Sequence, residues 1–215
     1  MSDIKAKNIL SSVKAGAIGL GIFAVIASAA ISVTYIVGND AITANKAEAK
    51  AKALSEVMPL SLYDQSLLSE AIVLSDPKAL NLEVGSLAYA ALKGGQKQGV
   101  ILPVIAKDGY SGDISLLVGI DKQGLIQGVR TIEHKETPGL GDKVDRKKSA
   151  WIDSFIGRSL ANTTKDDWAV KKDGGVFDGF TGATITPRAV VNAVRNSLVY
   201  HQLNSADLYN QKAGQ

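Results

Sequence analysis

The chain has 215 residues, of which 46% are hydrophobic and 21% charged, and its formal net charge is +3. This balance describes one ordinary domain with an additional apolar segment, and it gives no indication of nucleic-acid binding. The chain has no cysteine, which excludes disulfides and thiolate-bound zinc or iron–sulfur clusters. A protein of this composition that carries electrons needs an organic cofactor.

Residues 1–14 contain three lysines and are predicted to form a cytoplasmic N-terminus. Residues 15–37 contain no charged side chain, and a helix of this length spans roughly 34 Å, enough for the hydrocarbon core of a bilayer. A cleaved signal peptide is the alternative, because Ala-Ser-Ala at 27–29 resembles a cleavage site. The apolar run continues to Val37, beyond what a signal peptide needs, so an uncleaved transmembrane helix is predicted.

The lysines near this segment do not orient it decisively, since three precede it and three follow it in the next stretch. Lys14 lies closest to the apolar run, which favours a cytoplasmic N-terminus. Residues 38–60 are predicted to form a linker, with a polar helix over 41–57 that is rich in alanine, lysine and glutamate. Residues 64–74 predict a second, short helix.

The sequence then changes period, and four short apolar runs separated by glycine and aspartate turns predict an antiparallel meander. The predicted strands are 86–92, 100–106, 113–120 and 125–132. Tyr89 and Tyr110 are predicted to pack against this sheet.

Residues 147–160 predict an amphipathic helix whose apolar side chains, including Trp151, face the core. A further strand is predicted at 168–170, and both tryptophans are assigned to structural packing. Four residues with helical spacing follow Pro187: Val190, Val191, Val194 and Leu198, with Leu203 as a fifth candidate. The predicted helix has Thr186 as its N-cap and Pro187 at its first position. The domain is predicted over 61–205, followed by a polar tail at 206–215.

A glycine-rich turn, Asp178-Gly-Phe-Thr-Gly-Ala-Thr184, leads into this helix. Its glycines allow a tight turn and close approach of a ligand, and the free N–H groups of a helix start favour an anion. An ordinary threonine-capped turn is the alternative. The turn lacks the lysine of a P-loop and the glycine spacing of a Rossmann fingerprint.

A second motif follows the last predicted strand, His134-Lys-Glu-Thr-Pro-Gly-Leu-Gly141. Pro138-Gly139 fits a type II turn, in which the glycine supplies the positive φ. Taken alone, the motif is a strand end with a loop. One histidine beside one or two carboxylates makes a weak metal site, so no metal is predicted.

Together the two motifs resemble those of the FMN-binding subunits of two related membrane electron-transport complexes. One is the G subunit of the Rnf-type complex, and the other is the C subunit of the sodium-pumping NADH:quinone reductase. In this family a flavin transferase esterifies the FMN phosphate to the threonine that ends the glycine-rich motif, here Thr184. The resemblance implies that Asp178 is recognised by the transferase. It also implies flavin contacts from Glu136, Thr137, Leu140, Gly141, Thr181, Gly182, Ala183, Ile185 and Thr186.

The expected fold is therefore α+β, with one N-terminal transmembrane helix and one FMN-binding domain of a twisted antiparallel sheet and packed helices. The resemblance implies an electron-carrying redox subunit of a ferredoxin- and NAD-linked translocase, with no acid or base of its own. It implies other membrane subunits as partners, and a place in the bacterial inner membrane with the domain on the periplasmic side. Chain length and motif spacing favour the Rnf-type subunit over the quinone-reductase subunit. A membrane-anchored, non-catalytic binding or scaffold domain is the alternative from another class.

Overall fold

The computed structural model describes residues 16–29, 32 and 48–210, in two compact units that divide between Ala49 and Lys50. In the first unit residues 16–29 are helical, and their large apolar side chains are exposed. None of the helices in the described residues is both long and apolar enough to cross a membrane. The remainder of the predicted 15–37 span lies outside these residues, as does the predicted cytoplasmic N-terminus.

The second unit is built on a five-stranded antiparallel sheet in which neighbouring strands follow chain order. The strands are β1 Ala71–Val73, β2 Leu87–Lys93, β3 Gln96–Ala106, β4 Ile114–Asp121 and β5 Ile126–Glu133. The last four are the predicted meander, which is confirmed with small shifts at the ends. Gly94 and Gly95 both have positive φ, which the tight turn between β2 and β3 requires.

One face of the sheet is covered by the long helix α2, Ile185–Leu203. Its side chains pack with those of β3 and β4 in one hydrophobic cluster, and the four apolar residues predicted to form its inner face are buried: Val190, Val191, Val194 and Leu198. Burial of each such side chain contributes about 1.5–3 kcal/mol. The prediction for the fifth candidate, Leu203, is wrong, because this last residue of the helix is 78% exposed.

The short helix α1 spans residues 48–55 and belongs to the second unit from Lys50 onward. Its end and the turn that follows it lie on the opposite face of the sheet. The helix predicted over 41–57 is observed at residues 48–55, whereas residues 56–57 form a turn. Leu54 and Val57 are fully buried against this face. Gly119 and Gly128 are directly paired on β4 and β5, and a Cβ on Gly119 would lie 2.0 Å from the Val57 carbonyl oxygen. Because neither glycine has a side chain, the segment around Val57 lies directly on the sheet.

The helix predicted at 64–74 is wrong. Residues 64–69 form turns, and Ala71–Val73 form β1, which pairs with β2. Ile72 is buried in the α2-side cluster, while Ala71 packs on the opposite side. Pairing with a neighbouring strand overrides a weak helical spacing, because it satisfies the backbone and buries both sides of the chain.

Three further predictions are corrected. The amphipathic helix at 147–160 is a short 3₁₀ helix, Ala150–Phe155, followed by Gly157 with φ 78°. The strand at 168–170 is reduced to one bridge between Val170 and Phe177. The predicted polar tail begins instead with helix α3, Ser205–Asn210, which buries Leu208. The first two segments form less regular structure than predicted, whereas Ser205–Asn210 form more.

Candidate functional site

The two sequence motifs meet at the N-terminal end of α2. The loop that contains the second motif, residues 134–142, lies beside the glycine-rich turn at 178–184 and the first helical residues. Thr186 donates a hydrogen bond from Oγ1 to Oε2 of Glu136, across 50 positions of the chain. A Cβ built on Gly182 would lie 3.3 Å from Cδ2 of Leu140. The fold therefore brings these two loops into direct contact.

The 134–142 loop is folded tightly around one carbonyl group. The carbonyl oxygen of Thr137 accepts hydrogen bonds from the N–H groups of Leu140 and Gly141, both at 3.1 Å. Gly139 has φ 78°, as the predicted turn requires, and its N–H donates to Oδ1 of Asp142 at 2.8 Å. The loop thus has a defined shape of its own.

Glu136 and Asp142 are the buried polar residues of this loop, and Glu136 is the more deeply buried, with 4% of its surface exposed. Its Oε1 accepts a hydrogen bond from the backbone N–H of Ser111 at 2.9 Å. The backbone N–H of Glu136 donates to Nδ1 of His134 at 3.1 Å, so that ring nitrogen is the acceptor and the proton of a neutral ring is on Nε2. Ser111 lies in the turn between β3 and β4, a third segment that sequence analysis did not connect to the site.

The helix start differs from the prediction. α2 begins at Ile185 with Thr184 as its N-cap residue, and Pro187 occupies the third helical position. Thr186, the predicted N-cap, is 0% exposed and gives its hydroxyl hydrogen to Glu136 instead of accepting from a helix N–H. A buried carboxylate is a strong acceptor for a hydroxyl, which explains why the threonine does not cap the helix.

Thr184 is half-buried and its side chain makes no capping hydrogen bond. The turn before it is closed by a hydrogen bond from the Ala183 N–H to the Phe180 carbonyl oxygen at 3.1 Å, and Gly182 has φ 81°. The hydroxyl of Thr184 therefore stands at a helix N-terminus with no capping role, beside N–H groups that favour an anion.

An open surface surrounds Thr184. Leu140 and Ile185 are 41% and 46% exposed, and Thr137, Thr181 and Gly182 are also exposed. This surface combines two apolar side chains with hydroxyl groups and backbone that has little side-chain cover. Such a combination suits a flat aromatic group that carries a phosphate at one end.

Asp178 stands apart from these residues. Its side chain is exposed and pairs with Nζ of Lys171 at 2.6 Å. Its carbonyl oxygen accepts a hydrogen bond from Nε1 of Trp151 at 2.8 Å, which fixes the backbone while the carboxylate faces solvent. The structure does not bring this carboxylate to the loop that contains Glu136.

Both tryptophans are buried, as the packing assignment requires. Trp151 lies edge-on to Phe180, with ring centroids 4.9 Å apart, and so packs against the turn that precedes Thr184. Tyr89 is buried as predicted. The packing prediction for Tyr110 is wrong, because it is 68% exposed in the turn that precedes Ser111.

Two other kinds of site would be a metal-binding cluster and a cavity away from the two motifs. Across the described ranges, no group of three or more His, Cys, Asp or Glu side chains is arranged to hold a metal. A cavity of about 250 Å³ lies at the far end of α2, where it is lined by His201 and Lys122 among others. Burial lowers the pKa of His201. His201 lies roughly 26 Å along the helix from Thr184, which separates this cavity from the two motifs.

Comparison with known proteins places the domain in a class. Residues 109–199 match the FMN-binding domain family, and this match includes both motifs and the turn that contains Ser111. Residues 1–57 match the family of the RnfG N-terminal region. The crystal structure of NqrC from Shewanella oneidensis is similar, with a TM-score of 0.44, 22% identity and coverage of 63% of this chain and 70% of that chain.

Relatives that match over most of their length identify the family more specifically. The G subunit of the ion-translocating oxidoreductase complex of Aliivibrio fischeri strain ES114 is 38% identical over 199 residues, or 93% of this chain and 95% of that protein. The same subunit of Pseudomonas aeruginosa strain UCBPP-PA14 is 45% identical over 185 residues, which is 86% of each chain. The chain belongs to the family formed by the G subunits of ion-translocating oxidoreductase complexes.

Proposed function

We propose that this protein is an electron-carrying subunit of an Rnf-type ion-translocating complex, and that it holds FMN through a phosphoester bond to Thr184. The observation that carries the proposal is the meeting of the two motifs around the N-cap residue of α2. Thr184 offers a hydroxyl without a capping bond at a site that favours an anion. The other subunits of the complex are the proposed electron partners.

The residues around Thr184 fit such a group. The N–H groups at the start of α2 suit the phosphate, whereas Pro187 has no N–H to offer. Leu140 and Ile185 offer apolar surface to a ring system, and Thr137 and Thr181 offer hydroxyl groups to its polar edges. Gly182 and Ala183 add little side-chain bulk beside the cofactor, and Gly141 leaves room for the side chains of Glu136 and Thr186. We assign these residues to flavin binding.

The flavin supplies the electron-transfer chemistry, and the chain supplies attachment, orientation and electrostatic environment. An anion at a helix start gains about 0.3–1 kcal/mol, which orients a phosphate but does not retain a cofactor through many turnovers. The covalent bond is therefore what makes retention permanent. A flavin transferase is required as a partner during maturation.

We further propose that residues 15–37 anchor the chain in the bacterial inner membrane, with the domain on the periplasmic side. The described helical part of this segment supports the proposal, because its large apolar side chains are more than half exposed: Ile18, Leu20, Ile22, Phe23, Val25 and Ile26. Such a helix is suited to a lipid environment.

Protease added to intact spheroplasts is expected to digest the domain, because it faces outward in this orientation. Immunoblotting against the C-terminal region measures the loss, and a cytoplasmic protein in the same sample controls for lysis. A domain that survives in intact spheroplasts and is digested only after lysis would reverse the orientation.

Asp178→Ala is expected to fold normally and to lose covalent flavin, because the motif resemblance makes this aspartate part of what the transferase recognises. Its exposed ion pair contributes only about 0–1 kcal/mol to stability, so the loss of flavin is not an effect of unfolding. Lys171→Ala is the matched control, since it breaks the same ion pair and keeps the carboxylate. In-gel flavin fluorescence after denaturation measures the covalent flavin on both variants. Equal labelling of Asp178→Ala and the wild type would exclude the assigned role.

A further inference from the structure

We propose that Glu136 is a positioning residue that holds three segments of the flavin site together and does not itself contact the flavin. This inference rests on the proposed function, because it concerns the same site. Both carboxylate oxygens are already used within the protein. Oε1 accepts from the Ser111 N–H at 2.9 Å, and Oε2 accepts from the hydroxyl of Thr186.

The three segments are far apart in the chain. Ser111 is 25 positions before Glu136, in the turn between β3 and β4, and Thr186 is 50 positions after it, in the first turn of α2. Gly141 makes the arrangement possible, because a Cβ there would lie 2.6 Å from Oε2 of Glu136 and 3.0 Å from Oγ1 of Thr186. The carboxylate therefore fits only against a residue without a side chain.

Each segment carries a residue of the site. Thr186 lies two residues after Thr184, so its bond to Glu136 fixes the helical turn that carries the attachment point. Leu140 lies on the same loop as Glu136, and a Cβ on Gly182 would lie 3.3 Å from its Cδ2. Ser111 takes part through its own backbone N–H, so its bond to Glu136 holds the turn between β3 and β4 against the loop. The relative position of attachment point, loop and turn depends on one buried side chain.

Glu136 also places a charge at the site. None of the ion pairs found in the described part of the chain involves this carboxylate, whose bonds come from one backbone N–H and one hydroxyl group. A fixed negative charge beside a flavin makes the addition of an electron less favourable. Glu136 therefore acts on the flavin through geometry and through its field, and both effects are measurable.

Four variants separate these effects. In Glu136→Gln the amide oxygen accepts from Ser111 and the NH₂ group donates to Thr186, so the geometry is kept and the charge is lost. We expect the flavin absorption spectrum and Tm of Glu136→Gln to stay close to those of the wild type, with an upward shift in midpoint potential. Glu136→Ala is expected to lower Tm and alter the spectrum. Thr186→Val is expected to lower Tm as well, and the double variant Glu136→Ala/Thr186→Val should fall by less than the sum of the two single losses.

Glu133→Gln removes an exposed glutamate at the end of β5 and is the matched control, with no change expected in any of the three readouts. A spectrum altered as strongly by Glu136→Gln as by Glu136→Ala, with Thr186→Val harmless, would show that Glu136 contacts the flavin directly. Additive losses in Tm would also overturn the proposal. If Glu136→Ala does not fold, Glu136→Gln and Thr186→Val carry the comparison. The Tm comparison is made on protein without flavin, so a wild type that never acquires FMN counts against the proposed function and still tests the positioning role.

Discussion

Thr184→Ala is expected to abolish covalently bound flavin while leaving the domain folded. The substitution removes the only side-chain oxygen through which the proposed phosphoester forms at this position. Its effect on stability is expected to stay within about 0.5 kcal/mol, because the Thr184 side chain makes no capping hydrogen bond. Flavin fluorescence on the denatured chain and the thermal unfolding curve are the two measurements.

Thr181→Ala is the matched control for this variant. Thr181 lies in the same exposed turn, three residues before Thr184, and its hydroxyl is assigned to contact with the flavin and not to the bond. It is expected to retain covalent flavin after denaturation. Fluorescence retained by Thr184→Ala and lost by Thr181→Ala would move the attachment point to the earlier threonine.

Gly141→Val is expected to destabilise the domain and change the flavin spectrum. The φ of Gly141 lies outside the left-handed region, so the effect is steric. The new Cβ would lie 2.6 Å from Oε2 of Glu136, and that carboxylate is buried and held on both oxygens. Displacing it costs about 1–3 kcal/mol, as overpacking of a close-packed site typically does.

Gly179→Val is the matched control, because a Cβ at Gly179 meets no atom within 4 Å. Its Tm is expected to remain near that of the wild type, and it is a control for stability alone because Gly179 lies within the glycine-rich motif. Circular dichroism on heating gives the stability of both variants, and the absorption spectrum of the attached flavin reports the site. A Gly141→Val protein with unchanged Tm and spectrum would place the loop away from the ring.

Much of the fold could be predicted from local patterns. The meander followed from short apolar runs separated by turn residues, and Gly94 and Gly95 take the backbone conformations that such turns need. The buried face of α2 followed from helical spacing, because that spacing places Val190 and Val194 on the same side. These features depend on neighbours in the chain, so the sequence contains the information directly.

The predictions fail where a residue distant in the chain determines the local structure. Thr186 has the residue type of an N-cap, yet its hydroxyl bonds to a carboxylate 50 positions away. Ser111 takes part in the site through its backbone N–H, a group that nearly every residue possesses and that leaves no sequence signature. Ala71–Val73 form a strand because β2 offers an edge, which the short segment does not reveal alone.

The most direct test of the central claim is the mass of the peptide that contains Thr184, taken from protein produced with its flavin transferase. We expect a mass increase equal to FMN minus water, with fragmentation that places the group on Thr184. An unmodified peptide, or the same added mass on Thr181 or Thr186, would contradict it.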